Sequence, residues 1–304
     1  MKKLLPFLGI VCLFTCTVQQ SFSQQKDFSD DPYYSGKYIF EIGASLGAMN
    51  CLTDLGGGKG AGKQFIKDLN AGNTEPAGSV YSSVSYKNAV TLRTEVTWGI
   101  VKASDNVLKS VKETTVGRYE RNLSFRSSIF EVALVTEIHP RYFKKYAKNE
   151  KLPRLSPYLL GGIGYFAFNP QAKLNGSWVD LRPLSTEGEG FAEYPDRKIY
   201  KLKQINFPIG AGFRYKLSQE LNFSAEFVYR ILKTDYLDDV STRYVNPTLF
   251  AKYFTGAQLQ QALALQDRQA ELVPTHITTP NDIRGDPKKN DAYFSINFKL
   301  GFIF

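Results

Sequence analysis

From residue 294 to the last residue, every second position is apolar: Phe294, Ile296, Phe298, Leu300, Phe302 and Phe304 alternate with Ser295, Asn297, Lys299 and Gly301. A period of two is that of a strand with one apolar and one polar face. The same pattern recurs upstream. Over 38–48, Tyr38, Phe40, Ile42 and Leu46 oppose Glu41, Gly43, Ser45 and Gly47, and over 90–100, Val90, Leu92, Val96, Trp98 and Ile100 oppose Thr91, Arg93, Glu95, Thr97 and Gly99. In 130–138, Phe130, Val132, Leu134 and Ile138 oppose Glu131, Ala133 and Glu137. Further strands are expected over 205–216, with Ile205, Phe207, Ile209, Phe213 and Tyr215 against Gly210, Gly212, Arg214 and Lys216, and over 221–231, with Leu221, Phe223, Phe227, Tyr229 and Ile231 against Asn222, Ser224, Glu226 and Arg230. The segment 79–87 is the weakest of the set. In 157–168 the phase is ambiguous, because Leu159 and Ile163 oppose the equally apolar Leu160 and Phe166.

Eight strands joined alternately by short and long connections predict an all-β fold, an eight-stranded antiparallel transmembrane β-barrel with long extracellular loops and short periplasmic turns. Taken alone, 294–304 also fits a buried terminal strand of a soluble sheet. The last long loop, about 233–290, carries a helical insert that starts at Asn246-Pro247 and runs through Leu249, Phe250 and Tyr253 to Leu263. Phe304 is expected to act as the assembly signal read by the outer-membrane assembly machinery.

At the other end, Lys2 and Lys3 precede an apolar stretch over 4–18, and Ser21 and Ser23 precede Gln24, the order of a secretory signal peptide. The expected division is therefore a signal peptide over 1–23, a periplasmic segment over 24–36 and an outer-membrane barrel over 37–304. A lipoprotein reading would use Cys16 instead, but Thr15 precedes it poorly. Cys12 and Cys16 leave with the signal, so Cys51 has no intramolecular disulfide partner. Beyond the leader nothing approaches 18 consecutive apolar residues, which excludes a transmembrane helix.

The chain has 38 Lys and Arg against 29 Asp and Glu, a formal net charge of +9. The cations are scattered and the protein is exported, so nucleic acid is not an expected partner. Inward-phase charges number five of each sign: Glu41, Glu95, Glu131, Glu137 and Glu226 face Arg93, Arg214, Lys216, Arg230 and Lys299. A lumen this narrow is filled by side chains, which favours an ion-pair network over a conducting pore. One periplasmic connection is unusually basic, with Arg141, Lys144, Lys145, Lys148, Lys151 and Arg154 against Glu150. It reads as a solvated turn or as a docking surface for an acidic partner.

Other motifs carry less. Gly57, Gly62 and Lys63 have P-loop spacing, but Gln64 stands where a hydroxyl must hold magnesium. His139 and His276 lie in connections on opposite sides of the membrane, so no zinc site or Ser-His-Asp triad is expected. Asp235, Asp238 and Asp239 lie in the run 234–242, where turn capping and calcium binding both remain open. With no nucleophile and base pair, the chain is not expected to be an enzyme, and no cofactor is implied.

Several short motifs fall in a shared order. Ser156-Pro157-Tyr158, Gly161-Gly162-Ile163-Gly164, Phe168-Asn169-Pro170, Trp178 with Leu181, Pro183-Leu184 and Thr186-Glu187-Gly188-Glu189-Gly190 are followed by 234–242 with Tyr244 and preceded by 122–127. Together they resemble the PorG-type outer-membrane barrel family of the type IX secretion system, across most of 38–304. The chain departs from that pattern in having Glu189 where the family pattern has Gln, and in a longer helical insert. What the resemblance implies is a non-enzymatic part of a protein secretion apparatus, associated with a periplasmic ring of PorK and PorN type subunits. The alternative is a generic small outer-membrane barrel, structural in the envelope or admitting a small solute.

Overall fold

The computed structural model describes residues 37–57, 70–115, 117–144, 153–275 and 277–304. The expected signal peptide and periplasmic segment, Lys63 and Gln64 of the P-loop-like run, His276, and Lys145, Lys148 and Lys151 of the basic connection lie outside them.

Nine strands form: β1 Tyr38–Leu52, β2 Glu75–Tyr86, β3 Val90–Ser104, β4 Ser124–Ile138, β5 Leu155–Leu174, β6 Ser177–Asp180, β7 Lys203–Lys216, β8 Leu221–Leu232 and β9 Ala292–Ile303. Neighbours pair antiparallel in the order β4-β3-β2-β1-β9-β8-β7-β5, and β4 pairs β5 to close the sheet. The short β6 folds back on the end of β5, with Lys173 opposite Trp178, so eight strands make the wall. From Ile303 the ladder runs through Glu41, Ser83, Arg93, Val135 and Gly162, then from Pro208 through Arg230 to Tyr293. It returns to β9 ten residues from its start. That stagger tilts the strands and sets an interior only wide enough for side chains.

The wall is regular except between β5 and β7. Pairing there stops at Gly161 with Ile209 and resumes at Gly164 with Asn206. Pro208 lies in the interruption, where it has no N–H to give. The tight turn between β2 and β3 uses Lys87 and Asn88, both left-handed (φ 50° and 57°), the backbone that matches hairpin twist.

The faces follow the alternation. Tyr38, Phe40, Ile42, Leu46, Leu92, Trp98, Phe130, Leu134, Ile205, Phe213, Ile296, Phe298, Leu300 and Phe302 are all exposed, Leu46 by 77%. Such an unbroken apolar exterior has no place in water, and no helix among the described residues is long and apolar enough to cross a membrane. The barrel itself is the spanning element, with its apolar band against lipid. The ambiguous strand is now assigned: Leu159 and Ile163 face out, while Tyr158, Leu160 and Phe166 are buried.

Towards the loop end the interior changes character. Met49, Val101, Phe125, Ile129, Phe166 and Phe168 from the strands pack with Leu181, Leu184, Phe191, Leu237, Val240, Phe250 and Leu265 from the loops. The long loops therefore fold down as a cap on one apolar core. The helical insert is not the single helix expected. Asn246 caps a 3-10 turn at Pro247–Leu249 by accepting from the Thr248 amide, a short helix follows at Phe250–Tyr253, and the main helix spans Gly256–Gln266 after a break. Phe250 and Phe254 pack on Phe191, whose ring also stacks 4.0 Å from that of Tyr253, so tertiary contact fixes the break.

Placing a charge on the apolar band tests this assignment. Phe298→Arg should lower unfolding stability by about 2–4 kcal/mol, the depth-dependent cost of a cation on a lipid face. Phe298→Leu should be nearly neutral. Equal urea midpoints for the two variants in a lipid bilayer would remove the membrane-facing assignment.

Candidate functional site

All ten inward-phase charges are buried. They form a connected cluster, a second pair and two outliers. At the centre Arg93 on β3 contacts three carboxylates: Glu137, Glu95 at 2.9 Å and Glu226 at 3.1 Å. Lys299 on β9 bridges Glu95 and Glu226 at 2.8 and 2.9 Å, and Arg214 on β7 reaches Glu137 at 2.7 Å. Three cations thus face three carboxylates. Buried charge is tolerable only when paired and further hydrogen-bonded, and here Ser79 donates to Glu95 and Tyr158 to Glu226. Nearer the loops Arg230 pairs Glu131 at 2.9 Å, and Tyr293 and Asn206 donate to the same carboxylate.

The remaining two of the ten also make contacts with neutral groups. Glu41 is held by the Tyr81 hydroxyl (2.6 Å) and the Asn222 amide (2.7 Å), both neutral donors. Lys216 lies at the periplasmic rim, its ammonium 3.5 Å from the Asn88 side-chain oxygen and over the Tyr142 ring. Alternation alone gave these residues their face but not their partners. It also missed the neutral side chains that complete the network. Tyr81 fits because Gly43 and Gly301 leave room beside it, and Tyr158 fits beside Gly212. His139, just beyond β4, is buried between Glu137 (3.2 Å) and Ser156 (3.3 Å) and closes the periplasmic end of the lumen.

Of the basic connection, Arg141, Lys144 and Arg154 are described. Arg141 donates to the Leu155 carbonyl and Tyr142 to the Pro153 carbonyl, so part of this segment ties itself to the barrel rim. Phe304 is exposed, stacks 6.2 Å from Phe40, and its N–H bonds the Phe40 carbonyl.

The cap is rich in carboxylates, and Asp235, Asp238 and Asp239 do not all meet at one point. Asp238 accepts from the Leu55 and Val240 amides, tying the first loop to the last, whereas Asp239 accepts from the Thr186 and Tyr200 hydroxyls. Asp235 and Asp238 act on one another and on Asp54, whereas Asp239 is turned to Thr186 and Tyr200. Among the described residues no group of three or more His, Cys, Asp or Glu side chains could hold a metal ion. These carboxylates serve as latches, as do Asp54 to the Asp286 amide and Asp291 to the Leu237 amide. Glu187 is the anchor, accepting from Ser241, Thr242 and Arg284.

Glu189, the departure from the resembled pattern, is buried with its carboxyl pushed up to about 8, by desolvation first and then by Asp239 and Glu187. Near neutral pH it is protonated and behaves as the neutral side chain that Gln would be. Desolvation, with Asp54 and Asp238 adding, raises Asp235 to about 9; Asp238 rises to about 8 by burial and Asp54. Both Asp235 oxygens are buried without a hydrogen bond, although the Ser241 hydroxyl lies close by.

No family model matches the chain, and no curated protein matches it. Among solved structures it is similar to Neisserial surface protein A (8% identity, TM-score 0.36, covering 88% of this chain and 98% of that one). It is also similar to the outer membrane protein OprG from Pseudomonas aeruginosa (7%, TM-score 0.34, 88% and 95%) and the outer membrane protein AlkL (12%, TM-score 0.31, 93% and 97%). At these scores the closed barrel rests on the chain's own strand ladder.

Two outcomes follow from the site. Arg93→Met leaves three carboxylates short of a shared cation and should cost about 3–5 kcal/mol in unfolding, whereas Arg93→Lys, which keeps charge without the fork, should cost less. Identical denaturation curves for all three proteins would show that the cluster is not held by Arg93. For Asp235 and Asp238 the folded pKa lies above the unfolded value of 3.8. The folded state then holds protons that the unfolded chain has released, so cap stability declines as pH rises from about 4 to about 9. Asp235→Asn should flatten that decline, by less than the ceiling of about 1.4 kcal/mol per pH unit for one group. Hydrogen exchange at the Leu55 and Leu237 amides across this range reads it, and parallel pH profiles for variant and wild type would contradict it.

Proposed function

We propose that the chain is a non-enzymatic outer-membrane barrel that works through its surfaces, as a component of the type IX protein secretion system associated with a periplasmic ring of PorK and PorN type subunits. The observation that carries the non-conducting part is the interior. A charge-balanced cluster occupies the membrane level, and an apolar core packs under the folded loops above it. Paired side chains across the lumen at the membrane level disfavour the channel alternative, although a cavity of about 1080 Å³ lies among the loops above, lined by residues such as Leu55, Arg121, Tyr244 and Arg284. The direction towards secretion comes from the order of motifs over 122–190 and 234–244 and from the secretory leader expected over 1–23. With termini and short turns periplasmic, the basic connection projects to the side where a ring would sit. Clustered cations there favour an acidic partner through steering and register.

Reversing Lys144, Lys145 and Lys148 to Glu tests the docking surface. The expected result is a barrel that still folds, recovers several-fold less ring subunit in mild detergent and secretes less. Recovery in the wild type should fall as salt rises, because exposed charges are screened over about 8–10 Å. Undiminished ring recovery and normal secretion from a folded triple variant would make the connection a plain solvated turn. Unitary conductance in planar bilayers would revive the channel reading.

A further inference from the structure

At the loop end of the wall the outward apolar band is followed, strand by strand, by cations on one side of the barrel. Lys233 lies two positions beyond Ile231 on β8, Lys203 two positions before Ile205 on β7, and Arg126 four before Phe130 on β4. Successive outward positions on a strand are two residues apart, so each is a first or second outward position past exposed apolar surface. The strands are neighbours or next neighbours: Arg126 stands opposite Gln171 of β5, Lys203 opposite Ala167 of the same strand, and β7 pairs β8. Lys102 of β3 stands opposite Arg126 but is ion-paired to Glu75.

None of the other three cations has a carboxylate partner among the described contacts. Arg126 donates to the Gln171 side-chain oxygen at 3.1 Å and lies 3.8 Å over the Trp178 ring; Lys233 lies 5.2 Å over the Phe207 ring; Lys203 is exposed. The carboxylate nearest Arg126 through strand pairing, Asp180, is occupied by the Asn169 and Gln171 amides, and Asp235, two residues past Lys233, is buried in the cap. On the opposite side the equivalent outward positions of β1, β2 and β9 include Ala48, Pro76 and Phe294, with no cation.

We propose that Arg126, Lys203 and Lys233 form a docking arc for the phosphate groups of a phosphorylated glycolipid in the outer leaflet, a reading that rests on the outer-membrane orientation given above. Acyl chains lying on Phe130, Tyr165, Ile205 and Ile231, all exposed, bring a headgroup to the level of the arc. A guanidinium offers a planar fork to phosphate oxygens, and lysine stems lie along apolar surface with the ammonium raised to the headgroup. Trp178 beside Arg126 supplies the amphipathic ring favoured at a membrane boundary.

The test uses the full-length protein in nanodiscs containing bis-phosphorylated lipid A, dephosphorylated lipid A or phosphatidylglycerol, with retained lipid read by native mass spectrometry. Wild type should retain phosphorylated lipid A several-fold over each of the other two. The variant carrying Arg126→Gln, Lys203→Gln and Lys233→Gln should lose that preference. Equal retention of the two forms of lipid A, equal retention of phosphatidylglycerol, or an unchanged preference in the triple variant would each overturn the arc. If the triple variant fails to fold, the single changes at exposed Lys203 and Lys233 carry the same comparison, with each expected to reduce the preference and unchanged preference in both overturning it. Lipid binding in nanodiscs does not depend on where the protein sits in the cell, so cell fractionation tests the outer-membrane reading separately.

Discussion

Buried charge must be matched where it lies, and in this barrel the matching centres on Arg93. Its guanidinium meets Glu95, Glu137 and Glu226, side chains from β3, β4 and β8, while Lys299 and Arg214 bring β9 and β7 to the same carboxylates. A wall of antiparallel strands has hydrogen bonds only between neighbours. The charge cluster links strands across the diameter, and so couples parts of the wall that the ladder leaves independent. The same cluster occupies the space a channel would need, so holding the barrel together and closing it are one arrangement.

Above the cluster the interior turns apolar, because there the strands meet folded loops instead of one another. The loops carry their own buried carboxylates, and most of these accept backbone amides from a different segment. Asp238 reaches Leu55 and Asp54 reaches Asp286, so the first loop is tied to both ends of the last. Such latches fix a loop without a metal. Their cost is visible at Asp235, where burial without a hydrogen bond leaves protonation as the way to neutralise the group. The cap is consequently held by geometry that depends on protonation, in contrast to the ion-paired cluster below it.

The outside of the molecule carries three chemically distinct surfaces. They are the apolar band, the cations above it on β4, β7 and β8, and the basic periplasmic connection. The lopsided placement of the upper cations also gives the barrel a distinguishable side, which strand alternation alone does not supply.

The sequence by itself determined the wall. Period-two alternation is local, because successive side chains of a strand point to opposite faces whatever the strand pairs with. Thus the facing of Glu41, Arg93, Glu131 and Phe298 was readable, as were the tight turn at Asn88 and the helix start at Asn246. Where both faces of a strand are apolar the signal vanishes, and β5 was ambiguous because Phe166 joins the cap core and Leu160 a small apolar cluster with Ala133, Val135 and Val228, while Leu159 and Ile163 face lipid. Partners were not readable. Which carboxylate Arg93 meets depends on the ten-residue stagger of the closed ladder, and that Glu41 is held by Tyr81 and Asn222 depends on space left by Gly43 and Gly301. That Asp238 meets Asp54 and Leu55 while Asp239 meets Thr186 and Tyr200 likewise follows from loops that meet only after the barrel closes. Facing is a property of one strand, while pairing is a property of eight strands held at one register, and only the tertiary structure fixes that register.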